Sequence, residues 1–580
     1  MTVSDPATAA TDSYLDENED WPTHGEYEHT PYYASREQVH VYEDTATRAR
    51  LEDTSFDYVV VGAGPIGAAL AYRLAEDTPS ASVLVVEKNW NEPDRIVGEL
   101  MQPSGCEALG ELGLPNVFCG IGAVPVHGYY LAHKGKHTYI PYMDRPTTGG
   151  SRGKGRQRRY RGVSFHHGRL VMNLRAACKA QKNVFCVEGS VTELLGSIAA
   201  NGSAQMEAVH GVRIGPSRST PETQARTTCV KPRALVFVCD GIASQFRRIL
   251  RDAPVELLSH FCGFVLEHEP AESGAFFSAS GAGAMAACSA PTQTTANALP
   301  MPHNGNVLLD GAGPVLLYQM SERETRVLAD IPGPSLPSEA GGHLRSVLRS
   351  SLSAAAPKHM YPALHAQLMH QVDSARRIRC IGSKFISAPT NGVAGALWIG
   401  DALNVRHPLT GGGMTVGLWD VVYLARLLKR ESPALGVSGS GGTDSSARRD
   451  RAVRRIVAEW QWRRRGRALV VNVLSVALHA LFAADTKELG LLREACFVYV
   501  SCGGICTMHP SGFLSGQLAS PLLLVYHFFS VALLAVRMRV SGASTAYAGD
   551  NLLYRVYSAF YTLYVAAGVI LPLLWQELAP

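Results

Sequence analysis

The sequence predicts an α/β fold that is followed by a helical region at the carboxyl end of the chain. Three observations support this prediction. A glycine-rich turn follows an apolar strand near residue 62, a second one follows another apolar strand near residue 400, and two uncharged apolar segments lie beyond residue 512. Two such turns, each at the end of a buried strand, indicate two parts of one nucleotide-binding domain.

The first turn is the run Gly62, Ala63, Gly64, Pro65, Ile66, Gly67, which follows the apolar residues 58–61. Residues 68–75 favour a helix, and residues 82–86 predict a second strand that ends at Glu87. In this pattern the first glycine makes the turn, the second admits a pyrophosphate, and the third packs the helix on the strand. Glu87 is placed to accept a hydrogen bond from the adenosine ribose.

The second turn lies in residues 400–418, after the apolar run 396–399. Asp401 follows that predicted strand, where a carboxylate can accept hydrogen bonds from ribose or ribityl hydroxyl groups. Gly411, Gly412 and Gly413 precede a predicted helix that starts near Met414, so backbone N–H groups can approach a phosphate or a flavin carbonyl. A tight turn without a ligand is the alternative. A second part of the site so far along the chain favours FAD over NAD.

Three further features have both a functional and an ordinary interpretation. Asp240 follows the predicted strand 234–239 and repeats the pattern of an acid at a strand end. Arg95 can pair with a phosphate, although a solvated arginine would look the same. His166 and His167 suggest a metal ligand pair, but without a third ligand in sequence we predict no metal site.

Composition limits the classes of function. The chain has 580 residues, enough for two or three domains, and a net charge of +4, which gives no reason to expect nucleic acid as a partner. Its 12 cysteines are scattered without a CxxC pair, so we expect reduced, mostly structural thiols. No basic segment followed by an apolar core occurs near residue 1, and no signal peptide is predicted.

Taken together, the patterns predict a Rossmann-type FAD-binding domain of the flavoprotein hydroxylase kind. We expect it to be interrupted by a mixed-sheet substrate domain and followed by a C-terminal helical, membrane-associated region. The predicted boundaries are a polar, disordered tail at 1–54, the first part of the FAD-binding domain at 55–254 with loop inserts 147–161 and 196–228, the substrate domain at 255–375, the second part of the FAD-binding domain at 376–434, a Gly/Ser-rich linker at 435–449 and the helical region at 450–580.

The end of the chain bears on location. Residues 513–536 and 556–575 carry no formal charge, and either run is long enough to span a bilayer. Prolines, serines and a histidine dilute both runs, while Tyr561, Tyr564 and Trp575 suit a membrane interface. Insertion into one leaflet, a true span and a buried helical hairpin remain open, the first being favoured.

Three strings give the chain a family resemblance: residues 92–99 (EPDRIVGE), residues 167–169 (HGR) and residues 404–416 (NVRHPLTGGGMTV). They resemble the squalene epoxidase (squalene monooxygenase) family of flavoprotein monooxygenases, with a match that extends from about residue 56 to about residue 575. The chain departs from the family in lacking an N-terminal membrane segment and in two additions, the basic loop 147–161 and the polar insert 272–306.

The resemblance implies roles for individual residues. It places Tyr129 as a tyrosine important for activity, in a predicted strand at 126–131, and Gln102 as its hydrogen-bonding partner near the flavin. Asp240 matches the family's Asp-Gly motif. The positions that contact FAD in the family correspond to Pro65, Ile66, Glu87, Lys88, Arg95, Leu100, Arg169, Val184, Asp401 and Met414.

The resemblance also implies an activity: FAD-dependent conversion of squalene to (S)-2,3-epoxysqualene with O₂ in sterol biosynthesis. It implies electrons from NADPH–cytochrome P450 reductase and C-terminal helices held by membrane lipids, with the catalytic domain on the cytosolic face of the endoplasmic reticulum. Two alternatives stay open. A soluble FAD/NADPH aromatic-ring hydroxylase would lack the apolar C-terminal pair, and a non-catalytic lipid-escort protein would have little need of the glycine loop at 411–413.

Overall fold

The structure is a computed structural model that describes residues 51, 54–145, 159–198, 206–216, 227–250, 255–268, 298–437, 445–542 and 551–578. Most of the predicted N-terminal tail, residues 147–158 of the basic loop, residues 272–297 of the polar insert and residues 438–444 of the linker therefore lie outside the described residues.

The strands alternate with helices in the first half of the chain, and helices alone occupy its end. The strands are β1 (Tyr58–Val61), β2 (Val83–Glu87), β3 (Leu100–Met101), β4 (Val124–Val126), β5 (Gly128–His133), β6 (Lys136–Pro141), β7 (Gly162–Ser164), β8 (Val184–Glu188), β9 (Ser190–Ile198), β10 (Met206–Gly215), β11 (Thr228–Val230), β12 (Leu235–Val238), β13 (Glu256–Glu267), β14 (Gly305–Leu308), β15 (Val315–Gln319), β16 (Glu324–Pro332), β17 (Arg379–Phe385) and β18 (Ala396–Trp398). The α-helices are α1 (Pro65–Asp77), α2 (Pro103–Glu111), α3 (His167–Lys179), α4 (Arg247–Leu250), α5 (His343–Ala355), α6 (Pro362–Ser374), α7 (Gly413–Leu435), α8 (Ser445–Ala483), α9 (Lys487–Ser501), α10 (Ile505–Leu514), α11 (Pro521–Ser541) and α12 (Leu552–Leu578).

A five-stranded parallel sheet forms the nucleotide-binding core, with strand order β18-β12-β1-β2-β8. Its strands are short apolar runs buried on both faces, as expected for a parallel sheet covered by helices. The strands predicted near residues 58–61, 82–86, 234–239 and 396–399 are confirmed. Because all five strands run in one direction, their carboxyl ends meet at one edge.

The structure also contains a seven-stranded mixed sheet, with strand order β17-β13-β16-β15-β14-β5-β6. Strands β5, β6 and β17 lie outside the predicted substrate-domain range 255–375, yet β5 and β17 pair with its strands, and β6 pairs with β5. Tyr129 pairs with Gly305 through the parallel contact between β5 and β14. The linear boundary differs because both edges of the sheet are completed by segments distant in sequence.

Residues 206–215 form a strand within the range 196–228, for which the sequence predicts a loop. Strand β10 lies in this range, forms an antiparallel hairpin with β9, and pairs with β11 on its other side. Its polar side chains alternate with buried Val209, Val212 and Ile214, the pattern of a strand with one covered face. High polarity therefore concealed a period-two strand.

The helical end of the chain packs on the nucleotide-binding core through α8. Trp460 is fully buried and donates to the Asp420 carbonyl at 2.9 Å, and the buried Arg464 pairs with the Asp420 carboxylate, also at 2.9 Å.

By length and composition alone, three described helices can cross a membrane, namely Ala447–Ala483, Pro521–Ser541 and Leu552–Leu578. The bent pair α9 and α10, which meet at 108°, would be a fourth span if counted as one.

Candidate cofactor and substrate site

The carboxyl edge of the parallel sheet brings the predicted nucleotide-site residues together. Gly62 follows β1, Glu87 ends β2, Asp240 lies just beyond β12, and Asp401 lies just beyond β18. Glu87 accepts a hydrogen bond of 2.7 Å from the Ala63 N–H through Oε2. That bond ties the glycine turn to the end of the neighbouring strand.

The first glycine turn has the geometry that its sequence predicts. Gly62 has φ of +98°, and a Cβ there would lie 2.7 Å from the Cys239 carbonyl oxygen. A Cβ at Gly67 would collide with the Gly62 carbonyl, so α1 packs closely on the turn. At Gly64, by contrast, a Cβ would meet nothing within 4 Å. The turn therefore leaves open space at Gly64, where a ligand can approach the protein backbone.

Arg247 joins the two acidic strand ends. Its guanidinium donates to the Asp401 carbonyl at 2.7 Å and to the Gly241 carbonyl at 3.2 Å. Burial raises the pKa of Asp240, whose Oδ1 is buried and has no hydrogen-bond partner in the described part of the chain. A buried acceptor that lacks a donor is suited to a ligand hydroxyl group.

Arg406 stabilises the second glycine turn through hydrogen bonds. It is buried and donates to the Gly413 carbonyl at 3.2 Å and to Asn404 Oδ1 at 2.5 Å. Gly411 has φ of +60°, a conformation that favours glycine, and α7 begins at Gly413, where a Cβ would meet nothing within 4 Å. The amino end of α7 thus faces open space, with the partial positive charge that helix amino termini carry.

The remaining predicted cofactor contacts occupy three kinds of position. Pro65 and Ile66 form the first turn of α1, and Ile66 packs against Gly400 and Gly417. Val184 is buried at the start of β8. The others, which are exposed or half-buried around the carboxyl edge or beside α7, are Lys88, Arg95, Leu100, Arg169 and Met414.

Gln102 is fully buried and bridges the glycine turn to a tyrosine. Its Nε2 donates to the Thr410 carbonyl at 2.8 Å, and its Oε1 accepts from the Tyr142 hydroxyl at 2.9 Å. The resemblance predicts Gln102 as the partner of Tyr129, whereas the 2.9 Å bond in the structure comes from Tyr142. Tyr129 instead lies edge-on to the Tyr142 ring, with centroids 5.7 Å apart, so Tyr142 occupies the position facing the amide.

The Tyr129 hydroxyl is buried and makes no hydrogen bond of ordinary geometry with any described residue. It lies near enough to Tyr142 and Gln102 for both to lower its pKa, but burial is the larger effect and raises that pKa to about 12. Tyr130 faces the other side of β5, where its hydroxyl lies 3.1 Å from the Tyr361 hydroxyl. The alternation expected for adjacent strand residues is confirmed.

Two cavities meet at Tyr129. The larger has an empty volume of about 1080 Å³, open mouth included, and its walls are almost entirely apolar side chains of β5, α8, α9 and α11. The smaller, of about 540 Å³, extends along Gly98 and Gly411 beside the glycine turn. Both are lined by Tyr129, Val307, Leu409 and Thr410. An apolar substrate in the larger cavity would therefore end at the glycine-lined one.

Sequence reasoning missed several residues of this site. Arg247 and Arg175 hold main-chain carbonyls at the sheet edge, Arg175 through a 2.9 Å bond to the Ala63 carbonyl. Tyr142 supports Gln102, and Arg406 supports the glycine turn. Only Arg406 had a sequence signal, since it lies in the string 404–416; the other three act on partners far away in sequence.

Comparison with known proteins gives one family. A profile described as squalene epoxidase matches residues 233–275 and 288–548. The squalene epoxidase of Candida albicans is 34% identical over 91% of this chain and its own full length. The squalene monooxygenase of Mus musculus is 33% identical over 94% of this chain and 82% of its own length. Squalene epoxidase 1 of Arabidopsis thaliana is 33% identical over 90% of this chain and 84% of its own length.

Solved structures support the fold. A triple mutant of the flavin-dependent brominase Bmp2 superposes with a TM-score of 0.53 at 13% identity, covering 82% of this chain and 98% of its own. A flavoprotein/dehydrogenase from Cytophaga hutchinsonii superposes with a TM-score of 0.55, also at 13% identity, covering 84% of this chain and 100% of its own. At such identities the likeness establishes the shared α/β architecture.

Proposed function

The chain belongs to the squalene epoxidase family, and from that premise we propose that it converts squalene to (S)-2,3-epoxysqualene with O₂ in sterol biosynthesis. It is a squalene monooxygenase. One structural observation supports this substrate above all: the large apolar cavity meets the glycine-lined cavity at Tyr129, Val307, Leu409 and Thr410. A long hydrocarbon needs such a cavity, since it offers almost no group for hydrogen bonding.

FAD is the cofactor that we propose for this chain, because the residues at the sheet edge fit it. Gly64, Gly241 and Gly413 leave open space where a Cβ would project, and Asp240 Oδ1 lacks a hydrogen-bond partner among the described residues. The residues proposed to hold FAD are Gly62, Gly64, Pro65, Ile66, Gly67, Glu87, Lys88, Arg95, Leu100, Arg169, Val184, Asp240, Asp401, Gly411, Gly412, Gly413 and Met414. When bound and reduced, FAD supplies the activation of O₂ that epoxidation requires.

The protein's own residues have three tasks. The apolar walls exclude water and align a terminal double bond with the place at Leu409 where the two cavities meet. Gln102 fixes the Thr410 carbonyl there, and Tyr142 fixes Gln102. Tyr129 forms the wall between substrate and cofactor cavities. Transfer of oxygen to an alkene needs no acid–base pair at the carbon atoms, so these positioning tasks suffice.

We further propose that NADPH–cytochrome P450 reductase supplies the electrons and that α11 and α12 hold the enzyme in one leaflet of the endoplasmic reticulum membrane, with the catalytic domain in the cytosol. Their apolar windows are only 28% and 33% buried in the protein, against 61% for α8. Exposed aromatic side chains such as Phe560, Tyr564 and Trp575 suit the interface. The larger cavity is partly walled by α11, which supports entry of lipid-dissolved substrate from that side.

The decisive experiment reduces the purified protein anaerobically with the reductase and NADPH, then adds O₂ and squalene and analyses the products. We expect one epoxide per flavin in a single turnover. Rapid flavin reduction by NADPH without reductase, together with hydroxylation of an aromatic substrate and no epoxide, would instead identify a soluble-type hydroxylase. Binding of squalene without any flavin reduction or product would indicate a lipid-escort protein.

A further inference from the structure

A buried chain of polar groups connects the seven-stranded sheet to the turn at the junction of the cavities. Ser259 of β13 lies with its Oγ 2.5 Å from Asp330 Oδ1 of β16 and 3.0 Å from His407 Nε2. On the other side of the carboxylate, His479 Nε2 of α8 lies 3.0 Å from Asp330 Oδ2. All four side chains are buried. His407 Nδ1 accepts from the Leu409 N–H at 3.3 Å.

The hydrogen-bond geometry fixes where the protons lie. The Asp330 carboxylate only accepts, so the single hydroxyl proton of Ser259 is donated to Oδ1. His407 Nε2 must then carry a proton and donate it to Ser259 Oγ, which leaves Nδ1 free to accept from the Leu409 N–H. Burial lowers the pKa of His407 well below its usual range, which agrees with a neutral ring that donates at one nitrogen and accepts at the other.

The same groups have a composition that also suits a metal, since oxygen and nitrogen ligand atoms of Asp330, His407 and His479 lie within 4.8 Å of one another. Two features favour the hydrogen-bonded chain. The two imidazole rings are stacked, with centroids 4.0 Å apart and planes at 26°, whereas an ion must lie near the plane of each ring that ligates it. Each of these ligand groups is also already engaged in a hydrogen bond.

We propose that His407 is a positioning residue for epoxidation, held by Ser259 and Asp330, and that it fixes the 3₁₀ turn Pro408–Thr410 relative to the substrate sheet. Leu409 lines both cavities, and the Thr410 carbonyl is the group that Gln102 holds. The proposal deepens the proposed function, on which it rests, by assigning the position of Leu409 and Thr410, where the two cavities meet, to residues that line neither cavity.

The chain offers a matched control for this proposal. Ser383 of β17 is the cross-strand partner of Ser259 and is buried to a similar degree. Its hydroxyl has no hydrogen-bond partner among the described residues. Ser259→Ala and Ser383→Ala thus remove the same hydroxyl group from neighbouring buried positions, but only Ser259→Ala interrupts the chain of hydrogen bonds.

The test measures kcat and KM for squalene, H₂O₂ released per epoxide formed, and the visible spectrum of bound FAD. Both Ser259→Ala and His407→Asn remove the hydrogen bond between Ser259 and His407, and Ser259→Ala also removes the bond to Asp330. We expect kcat to fall about three- to tenfold, the range for loss of the one bond that holds His407, with KM nearly unchanged and more H₂O₂ released. His407→Asn is the second variant because Asn keeps an acceptor for the Leu409 N–H and loses the donor to Ser259. Ser383→Ala should match the wild type.

Three results would overturn the proposal. One is a folded Ser259→Ala enzyme with wild-type turnover and H₂O₂ release. Another is an equal loss in Ser383→Ala, which would indicate a general effect of hydroxyl removal. The third is one metal ion per chain in the purified protein that His407→Asn loses. If the wild type makes no epoxide, the proposed function fails. The positioning role of the polar groups is then judged by the FAD spectra alone. A spectral shift in Ser259→Ala but not in Ser383→Ala supports that role, and identical spectra contradict it.

Discussion

Tyr142 donates a 2.9 Å hydrogen bond to Oε1 of Gln102, the fully buried amide whose other end holds the Thr410 carbonyl. The two residues form a rigid connection between β6 and the glycine turn. The family resemblance pointed to a different tyrosine, so the structure changes which substitution should matter most.

Tyr142→Phe should lower squalene turnover more than any other single loss of a tyrosine hydroxyl at this site. It leaves Gln102 Oε1 buried without a donor, which costs about 1 to 3 kcal/mol, or about five- to a hundredfold if expressed wholly in turnover. Single-turnover epoxide formation and FAD content measure the effect. Tyr139→Phe, whose hydroxyl only reaches the His127 carbonyl at 3.3 Å, is the control. Wild-type turnover in Tyr142→Phe would contradict the assignment.

Tyr129→Phe should reduce turnover by a factor of about three or less, because the hydroxyl it removes makes no hydrogen bond of ordinary geometry with a described residue. The ring lines both cavities, so Tyr129→Ala should increase H₂O₂ release markedly. The matched control is Tyr130→Phe, which loses a contact with Tyr361 on the opposite face of β5 and should leave turnover unchanged. A greater loss in Tyr130→Phe would show that the wrong face was chosen.

Asp401→Ala should weaken FAD binding. Removal of one charged acceptor costs about 1.5 to 3 kcal/mol, equivalent to about a ten- to hundredfold rise in Kd. Fluorescence titration of the apoprotein with FAD measures it. Asp373→Ala removes an exposed carboxylate paired with Arg349 on α5 and serves as the control. Unchanged affinity in Asp401→Ala would remove Asp401 from the cofactor site.

Stability should fall between pH 6.5 and pH 4 partly because of His167. Burial lowers the pKa of this imidazole to about 4, so in that window the unfolded chain binds a proton that the folded chain does not. Protonation therefore favours unfolding as the pH falls. His167→Asn keeps a donor for the Gly98 carbonyl, which lies 2.9 Å from Nδ1, and should flatten the pH dependence of the free energy of unfolding in urea. Equal slopes would contradict this cause.

Membrane attachment should depend on the outer faces of α11 and α12. Leu533 and Phe560 are 58% and 70% exposed, and a charge at such a site opposes insertion by about 2 kcal/mol or more at depth. Leu533→Glu with Phe560→Glu should lower binding to phosphatidylcholine vesicles at least about tenfold, while activity in detergent is retained. Ile198→Glu, on β9 and 64% exposed, is the control. Undiminished vesicle binding would show that other residues hold the membrane.

Removal of all residues after 512 would be a poorer test of membrane attachment than these substitutions. The structure shows that such a truncation would also remove Phe513, Leu524, Phe528 and Ile570 from the wall of the larger cavity. Loss of activity would then say nothing about membranes. Point changes on the outer faces separate the two roles.

The sequence by itself determined the features that depend on neighbours along the chain. Gly62 and Gly67 are required by steric contacts within one strand–turn–helix unit, and the helix that starts at Gly413 follows from a local pattern. The squalene epoxidase family was likewise recognisable, because its strings are contiguous. That Asp240 and Asp401 share one edge with the first turn follows from the general rule that ligand sites form at the carboxyl ends of parallel strands.

Only the tertiary structure decided the features in which the partners are far apart along the chain. Tyr142 donates to Gln102, β17 joins a sheet from beyond its predicted domain, and His407 meets Ser259 across 148 positions. A buried polar group accepts whichever partner the packing brings within about 3 Å, and periodicity along the sequence carries no information about that distance.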